Sequence, residues 1–104
     1  MLREEKVIRF GWDFRVERVK KVRVLNRYGI HARVAAQIVQ TALGFGSAFY
    51  ISLNGREVDG KNLLSVLSLG ANAGSELELR AVGEDSDKLL DAMGRLFKSR
   101  FGEV

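Results

Sequence analysis

The single histidine of this 104-residue chain lies in Tyr28-Gly29-Ile30-His31-Ala32-Arg33, where a segment of extended character gives way to one of helical character. An imidazole and a guanidinium two residues apart at such a junction have the parts needed to hold a phosphoryl group. Imidazole has an unperturbed pKa of ~6.5, so much of it is neutral and nucleophilic near pH 7. Arg33 brings a permanent cation whose planar fork can pair with phosphate oxygens. The helix start supplies the remaining part. Its first four N–H groups lack intrahelical acceptors and carry about +0.5 charge between them, which favours an adjacent anion. One His and no Cys make a weak ligand set, so neither a metal nor a cofactor is expected.

These groups must be positioned by the elements around them. Lys20 to Leu25 alternates polar and apolar residues in its middle and predicts a strand. Gly29 allows a backbone turn that a side chain would resist. Ala32 to Leu43 contains neither Gly nor Pro, is rich in alanine and long side chains, and predicts a helix with His31 at or next to its first residue. Gly44 and Gly46 then interrupt the chain before a strand from Ser47 to Leu53. Asn54-Gly55 is a two-residue hairpin signal, because both turn positions need positive φ, and Arg56 to Asp59 is the short return strand. Asn62 is placed to cap a brief apolar helix, Leu63 to Leu69, ended by Gly70. Gly70-Ala71-Asn72-Ala73-Gly74 is glycine-rich but lacks the Lys-Ser/Thr ending of a phosphate loop, and is expected to be a turn.

Glu76 to Val82 alternates strictly and predicts the last strand. Asp85 or Ser86 can cap the helix that follows, with Glu84, Asp85 and Asp87 complementing its dipole. Leu89, Leu90, Met93, Leu96 and Phe97 recur there at helical spacing. The order β-α-β-β-α-β-α implies an α+β fold: a two-layer open-faced sandwich of an antiparallel sheet with helices on one face.

A chain of this length is sufficient for one domain with its own core. The absence of cysteine excludes a disulfide framework and suits the cytoplasm. The start, Met1 to Glu5, has no apolar signal core and no apolar run approaches ~18 residues, so a cytoplasmic protein without membrane insertion is expected. The net charge of +4 is uneven: residues 1–23 carry eight Lys or Arg against four Asp or Glu, and residues 24–104 carry nine of each. Any attraction to acidic partners therefore rests on the N-terminal segment.

That segment alternates from Ile8 to Glu17, with Ile8, Phe10, Trp12, Phe14 and Val16 on one side, and predicts a strand with an aromatic face. The phase slips around Arg18 to Lys20, implying a turn or bulge. An apolar face of that size needs a cover. It is either an added strand or flap on the domain's own sheet, an exchanged arm that makes a homodimer, or a docking strand for a partner. Aromatics interleaved with arginines also suit single-stranded nucleic acid, but acidic residues interrupt the stripe and nucleic acid is not expected as a partner. The division is thus an N-terminal extension, residues 1–19, and a domain, residues 20–104.

Asn26 to Ala36, NRYGIHARVAA, resembles the active-site segment of the HPr family, the histidine-containing phosphocarriers of the bacterial phosphoenolpyruvate-dependent phosphotransferase system. Gly60-Lys61-Asn62-Leu63-Leu64-Ser65-Val66-Leu67-Ser68-Leu69-Gly70 resembles the family's second-helix segment, in register with the first block and with no insertion. The resemblance covers roughly residues 20 to 100 and implies the same fold. It implies that His31 accepts a phosphoryl group on Nδ1 from enzyme I, originally from phosphoenolpyruvate, and passes it to a sugar-specific or regulatory IIA domain. It also implies that Arg33 steadies the phosphate, that Gln40 is a polar interface position, and that some of Leu63, Leu64 and Leu67 dock partners; the bland alternative for these leucines is plain core. Such a chain is a transiently phosphorylated carrier rather than a turnover enzyme.

Two departures bear on this. Val34 stands where the family normally has proline after Gly-Leu/Ile-His-Ala-Arg, and the chain has no proline at all. Asn62 falls where many Gram-positive relatives have a serine phosphorylated by an ATP-dependent kinase; asparagine keeps the cap but has no hydroxyl, and Ser65 is out of register. The alternative class is an HPr-like regulatory or interaction protein that binds partners without phosphotransfer.

Overall fold

A computed structural model of the chain describes the backbone of residues 3–10 and 13–103 and the side chains of residues 16–103. Five strands and three helices follow in the order β1 (Arg3–Phe10), β2 (Asp13–Arg23), α1 (Ala32–Leu43), β3 (Ala48–Leu53), β4 (Arg56–Asp59), α2 (Leu63–Ser68), β5 (Glu76–Val82) and α3 (Ser86–Lys98), with a last 3-10 turn at Arg100–Gly102. The strands form one antiparallel sheet in the order β1-β2-β5-β3-β4.

Alternation along the strands divides the sheet into two faces. Val22, Leu77, Leu79, Ala81, Phe49 and Ile51 are buried on the side that carries the helices. They meet Val34, Ala35, Ile38, Val39 and Ala42 of α1 and Leu89, Leu90, Met93 and Phe97 of α3. Burying each large side chain of this set is worth about 1.5–3 kcal/mol, which makes this one layer of contact the main support of the fold. The other face is charged. Arg80 lies over the Tyr50 ring at 4.3 Å, pairs with both carboxylate oxygens of Glu57 at 2.7 and 3.0 Å, and reaches Glu17 at 2.9 Å. The two-layer open-faced arrangement expected from the sequence is what the chain adopts, with β1 as an additional strand on the β2 edge.

The turns follow local chemistry. Asn54 and Gly55 take φ of 52° and 84° in the β3–β4 hairpin. The Asn62 side chain caps α2 by accepting from the Ser65 N–H at 3.0 Å, and Gly70 follows that helix at φ 61°.

Two expectations need correction. Ile8 to Glu17 is not a single strand followed by a slip: β1 ends at Phe10, β2 begins at Asp13, and the two pair as a hairpin with Phe10 opposite Asp13 and Ile8 opposite Arg15. Trp12, and the side chains of the expected aromatic face up to residue 15, lie outside the described residues. Nor does the phase change at Arg18 to Lys20, because β2 runs unbroken to Arg23. Arg18 and Lys20 occupy positions in phase with Val22, on the helix side. Arg18 reaches Asp87 of α3 at 3.2 Å, and the Lys20 side chain lies against Gly94 in the middle of α3. Long aliphatic stems let both cover α3 while their charges stay paired or wet.

The second correction concerns Asp85. It sits at the α3 N-cap, but its side chain makes no cap hydrogen bond. Its carboxylate reaches back to the α1–β3 connection, accepting from the Gly46 N–H at 2.8 Å, the Ser47 N–H at 2.9 Å and the Ser47 hydroxyl. The Ser47 hydroxyl, followed by these two amides, holds the Asp85 carboxyl below its ordinary value of 3.8 against the opposing effect of burial.

Candidate functional site

His31 is the N-cap of α1, with extended backbone (φ −91°, ψ −178°), and no side chain caps the helix. The connection from β2 to α1 is held against residues 71–75: Val24 N–H donates to Ser75 O at 2.9 Å, Gly74 N–H to Val24 O at 2.8 Å, and Ile30 N–H to Ala71 O at 3.0 Å. Gly29 makes the approach feasible. It takes φ 70°, and a methyl group there would stand 2.6 Å from Ala71 O and 3.0 Å from Asn72 Cα, both backbone atoms. The turn therefore presents His31 at the mouth of the helix with its ring partly open to solvent, at 37% side-chain exposure.

The tail after α3 completes the site. Arg100, Phe101 and Gly102 all take positive φ (57°, 55° and 75°) and turn the chain back onto α1. Phe101 is buried and packs edge-on against Phe97 at 4.8 Å between ring centroids. Its carbonyl accepts from Gln37 at 3.3 Å and from Arg33 at 3.4 Å. These contacts deliver Glu103 to His31. One carboxylate oxygen, Oε2, lies 2.6 Å from His31 Nε2 and also accepts from Arg33. The other, Oε1, accepts from the side-chain amide of Asn26 at 2.8 Å. Asn26, fully buried, donates from the same nitrogen to Gly29 O at 2.8 Å.

The Asn26 amide, then His31, then Arg33 hold the Glu103 carboxyl below its ordinary range, with burial opposing them. An ionised carboxylate only accepts hydrogen bonds, so His31 Nε2 must be the donor. The neutral ring then carries its proton on Nε2 and its lone pair on Nδ1. Beside it stand Arg33, half exposed, and the first-turn N–H groups of α1. An open cleft of about 510 Å³ is lined by Arg27, Tyr28, Gly102 and the Arg33 and Glu103 side chains that pair beside His31. The arrangement offers a nucleophilic nitrogen together with donors for an anion bonded to it.

The structure brings His31 and Arg33 together through Glu103. Gln40 is exposed further along α1. Leu63 and Leu64 are exposed on α2, at 41% and 77%, whereas Leu67 is half-buried against the core. Val34 is fully buried, a core residue at the third position of α1. Sequence reasoning did not assign Asn26, Gln37, Phe101 or Glu103. Asn26 lay inside the quoted motif, and an asparagine just before a glycine turn is a local signal that could have marked it. Glu103 is 72 residues from His31 and has no such signal. Among the described residues no group of His, Asp and Glu could hold a metal ion, and no helix is long and apolar enough to cross a membrane.

Comparison with known proteins supplies the context. A family model described as "PTS HPr component phosphorylation site" matches residues 19–99. The phosphocarrier protein HPr of Treponema pallidum is 46% identical over 85 residues, covering 82% of this chain and 97% of the relative. That of Cupriavidus necator is 40% identical over 80 residues, covering 77% and 90%. Among solved structures, HPr-C-His from Thermoanaerobacter tengcongensis superposes with a TM-score of 0.80 at 34% identity, covering 83% of this chain and 97% of that one. HPr from Bacillus anthracis gives 0.73 at 30%, covering 76% and 94%.

Proposed function

This chain belongs to the HPr family of phosphocarrier proteins, and on that premise we propose that His31 is its phosphoryl acceptor and donor. The observation that carries the proposal is the engagement of Nε2 by Glu103 on a ring at an uncapped helix start, with Arg33 held on the same carboxylate oxygen, which leaves Nδ1 as the nitrogen with the lone pair. In the forward step this lone pair attacks phosphorus as the donor's bond to phosphorus breaks, and the electron pair of that bond returns to the donor group. The positive charge that develops on the ring is opposed by Glu103, and Arg33 with the first-turn amides takes up the phosphoryl oxygens. The reverse step passes the group on, so the carrier needs no metal of its own.

By family, the donor is enzyme I charged from phosphoenolpyruvate, and the recipient is a IIA domain in sugar transport or its regulation. Leu63 and Leu64, with Gln40 and the half-buried Leu67, form the docking surface for both. The setting is the cytoplasm. Residues 1–19 form an extension to the carrier domain of residues 20–104. One related structure is described as an HPr dimer from Thermoanaerobacter tengcongensis, and association of two copies through β1 is the corresponding proposal here. Asn62 at the α2 cap leaves no hydroxyl for a serine-kinase switch.

A second reading, an interaction protein without phosphotransfer, draws support from the exposure of Leu64 and from Val34 in place of proline. Intact mass after incubation with phosphoenolpyruvate, Mg²⁺ and enzyme I separates the two. One acid-labile phosphoryl group on the native chain and none on His31→Ala is expected. A folded chain that takes up none, beside a working control HPr, would refute phosphotransfer.

A further inference from the structure

Asn26 is the buried end of the hydrogen-bond chain that reaches His31. Its amide nitrogen faces two acceptors, Gly29 O and Glu103 Oε1, each at 2.8 Å. Turning the amide over would set its oxygen against both, so its orientation is fixed by its surroundings. The Asn26 Oδ1 atom is buried without a hydrogen-bond partner. A folded protein seldom keeps such an atom without a compensating gain elsewhere. Here the gain is a fixed donor that pins one oxygen of Glu103 and turns the other toward His31 Nε2.

We propose that Asn26, acting through Glu103, is a positioning residue for phosphoryl transfer: it holds the ring proton on Nε2 and thereby commits Nδ1 to phosphorus. This rests on His31 being the phosphoryl acceptor. The logic has a sharp consequence for Glu103→Gln. Gln has one oxygen and one NH₂. The Asn26 donor, buried and unable to move, claims the oxygen, and the NH₂ then faces His31. Arg33, half exposed on a long side chain, can swing away from the new NH₂. Nε2 must now accept, the ring proton moves to Nδ1, and the nucleophilic lone pair is lost.

The test is nitrogen NMR of His31 at a pH where the ring is neutral, on the full chain, together with transfer kinetics from enzyme I. The native protein is expected to carry its proton on Nε2. Glu103→Gln is expected to shift the ring toward the Nδ1–H form and to lower kcat on the order of 10-fold or more, with KM for enzyme I unchanged, as a wrong tautomer lowers turnover in other histidine sites. Glu103→Asp retains a carboxylate and should restore part of the rate. Asn26→Leu keeps the branched shape and most of the bulk while removing the donor to Gly29 O and Glu103 Oε1, and should leave both ring forms populated. The idea is overturned by a native ring protonated on Nδ1, or by Glu103→Gln with a native tautomer. It is overturned equally by a fall in rate through KM alone. The tautomer is read without any phosphoryl donor. A native chain that takes up no phosphoryl group would therefore defeat the carrier function while the proton position was still decided.

Discussion

Replacing Gly29 by alanine should cost this protein about 3 kcal/mol, and the structure separates the contributions. A left-handed backbone, here φ 70°, costs an L-residue roughly 1–2 kcal/mol. The new methyl would also stand 2.6 Å from Ala71 O and 3.0 Å from Asn72 Cα. Neither atom is the end of a flexible side chain, so the 71–72 backbone must retreat and the Ile30 N–H···O Ala71 bond of 3.0 Å is lost. Losing that bond adds about 0.5–1.5 kcal/mol. Gly55 is the internal control: its φ is 84°, but nothing lies within 4 Å of where its methyl would be, so Gly55→Ala carries the backbone cost alone. Urea unfolding followed by far-UV circular dichroism measures both, and a 3 kcal/mol loss lowers the midpoint by roughly 1–3 M. Because Gly29 also sets the entry of His31 into α1, its variant should lose transfer rate while Gly55→Ala does not. Equal destabilisation by the two alanines would refute the claim that close backbone approach, rather than φ, is what Gly29 provides.

Other expectations follow from the same contacts. The depressed Asp85 carboxyl contributes stability that is present above its ordinary value of 3.8 and is lost as pH falls through its lower folded value. Asp85→Asn should therefore cost about 1.5–3 kcal/mol at pH 7 and flatten the acid limb of a stability–pH curve; an unchanged acid limb would count against the Ser47 contact. Leu64→Asp should change the free energy of urea unfolding by no more than ~0.5 kcal/mol. Calorimetric binding to enzyme I should weaken by about 10-fold, and unaltered affinity would remove α2 from the docking surface. Val34→Pro trades a buried side chain for a preset φ worth about 0.4–1 kcal/mol, so stability should stay within ~1 kcal/mol of native while transfer becomes faster. A stability gain with no change in transfer rate would dispose of the idea that proline preorganises the helix start.

How far the sequence disclosed this structure depends on the range over which each signal acts. Helix α1, the Asn54-Gly55 hairpin, the Asn62 cap and strand β5 are written in neighbours a few residues apart, and all were legible. Arg18 and Lys20 misled because periodicity counts them as polar. It has no knowledge of α3, whose Gly94 and Asp87 accept their stems and charges. Asp85 misled for a related reason: a helix-start carboxylate has a local use, and the amides it serves are 38 and 39 residues away. In the candidate site, His31 and Arg33 were visible because their chemistry lies in their own side chains and spacing. Glu103 was not, since only the three left-handed residues before it, held by Phe101 packed on Phe97, bring it to the imidazole.

The hairpin at the N-terminus changes which strand guards the rim of the sheet. Without β1, the outer edge of β2 would be an open row of amides and carbonyls. With it, residues Glu17 to Lys20 of β2 are paired on both sides, to β1 and to β5, and should be among the slowest amides to exchange with deuterium. Any strand arriving from another molecule on that side must therefore match β1 or first peel it away. Strand β1, Arg3–Phe10, thus acts as a removable selvage: its sequence, and not that of the carrier domain, governs whether sheets of neighbouring copies can join along this border.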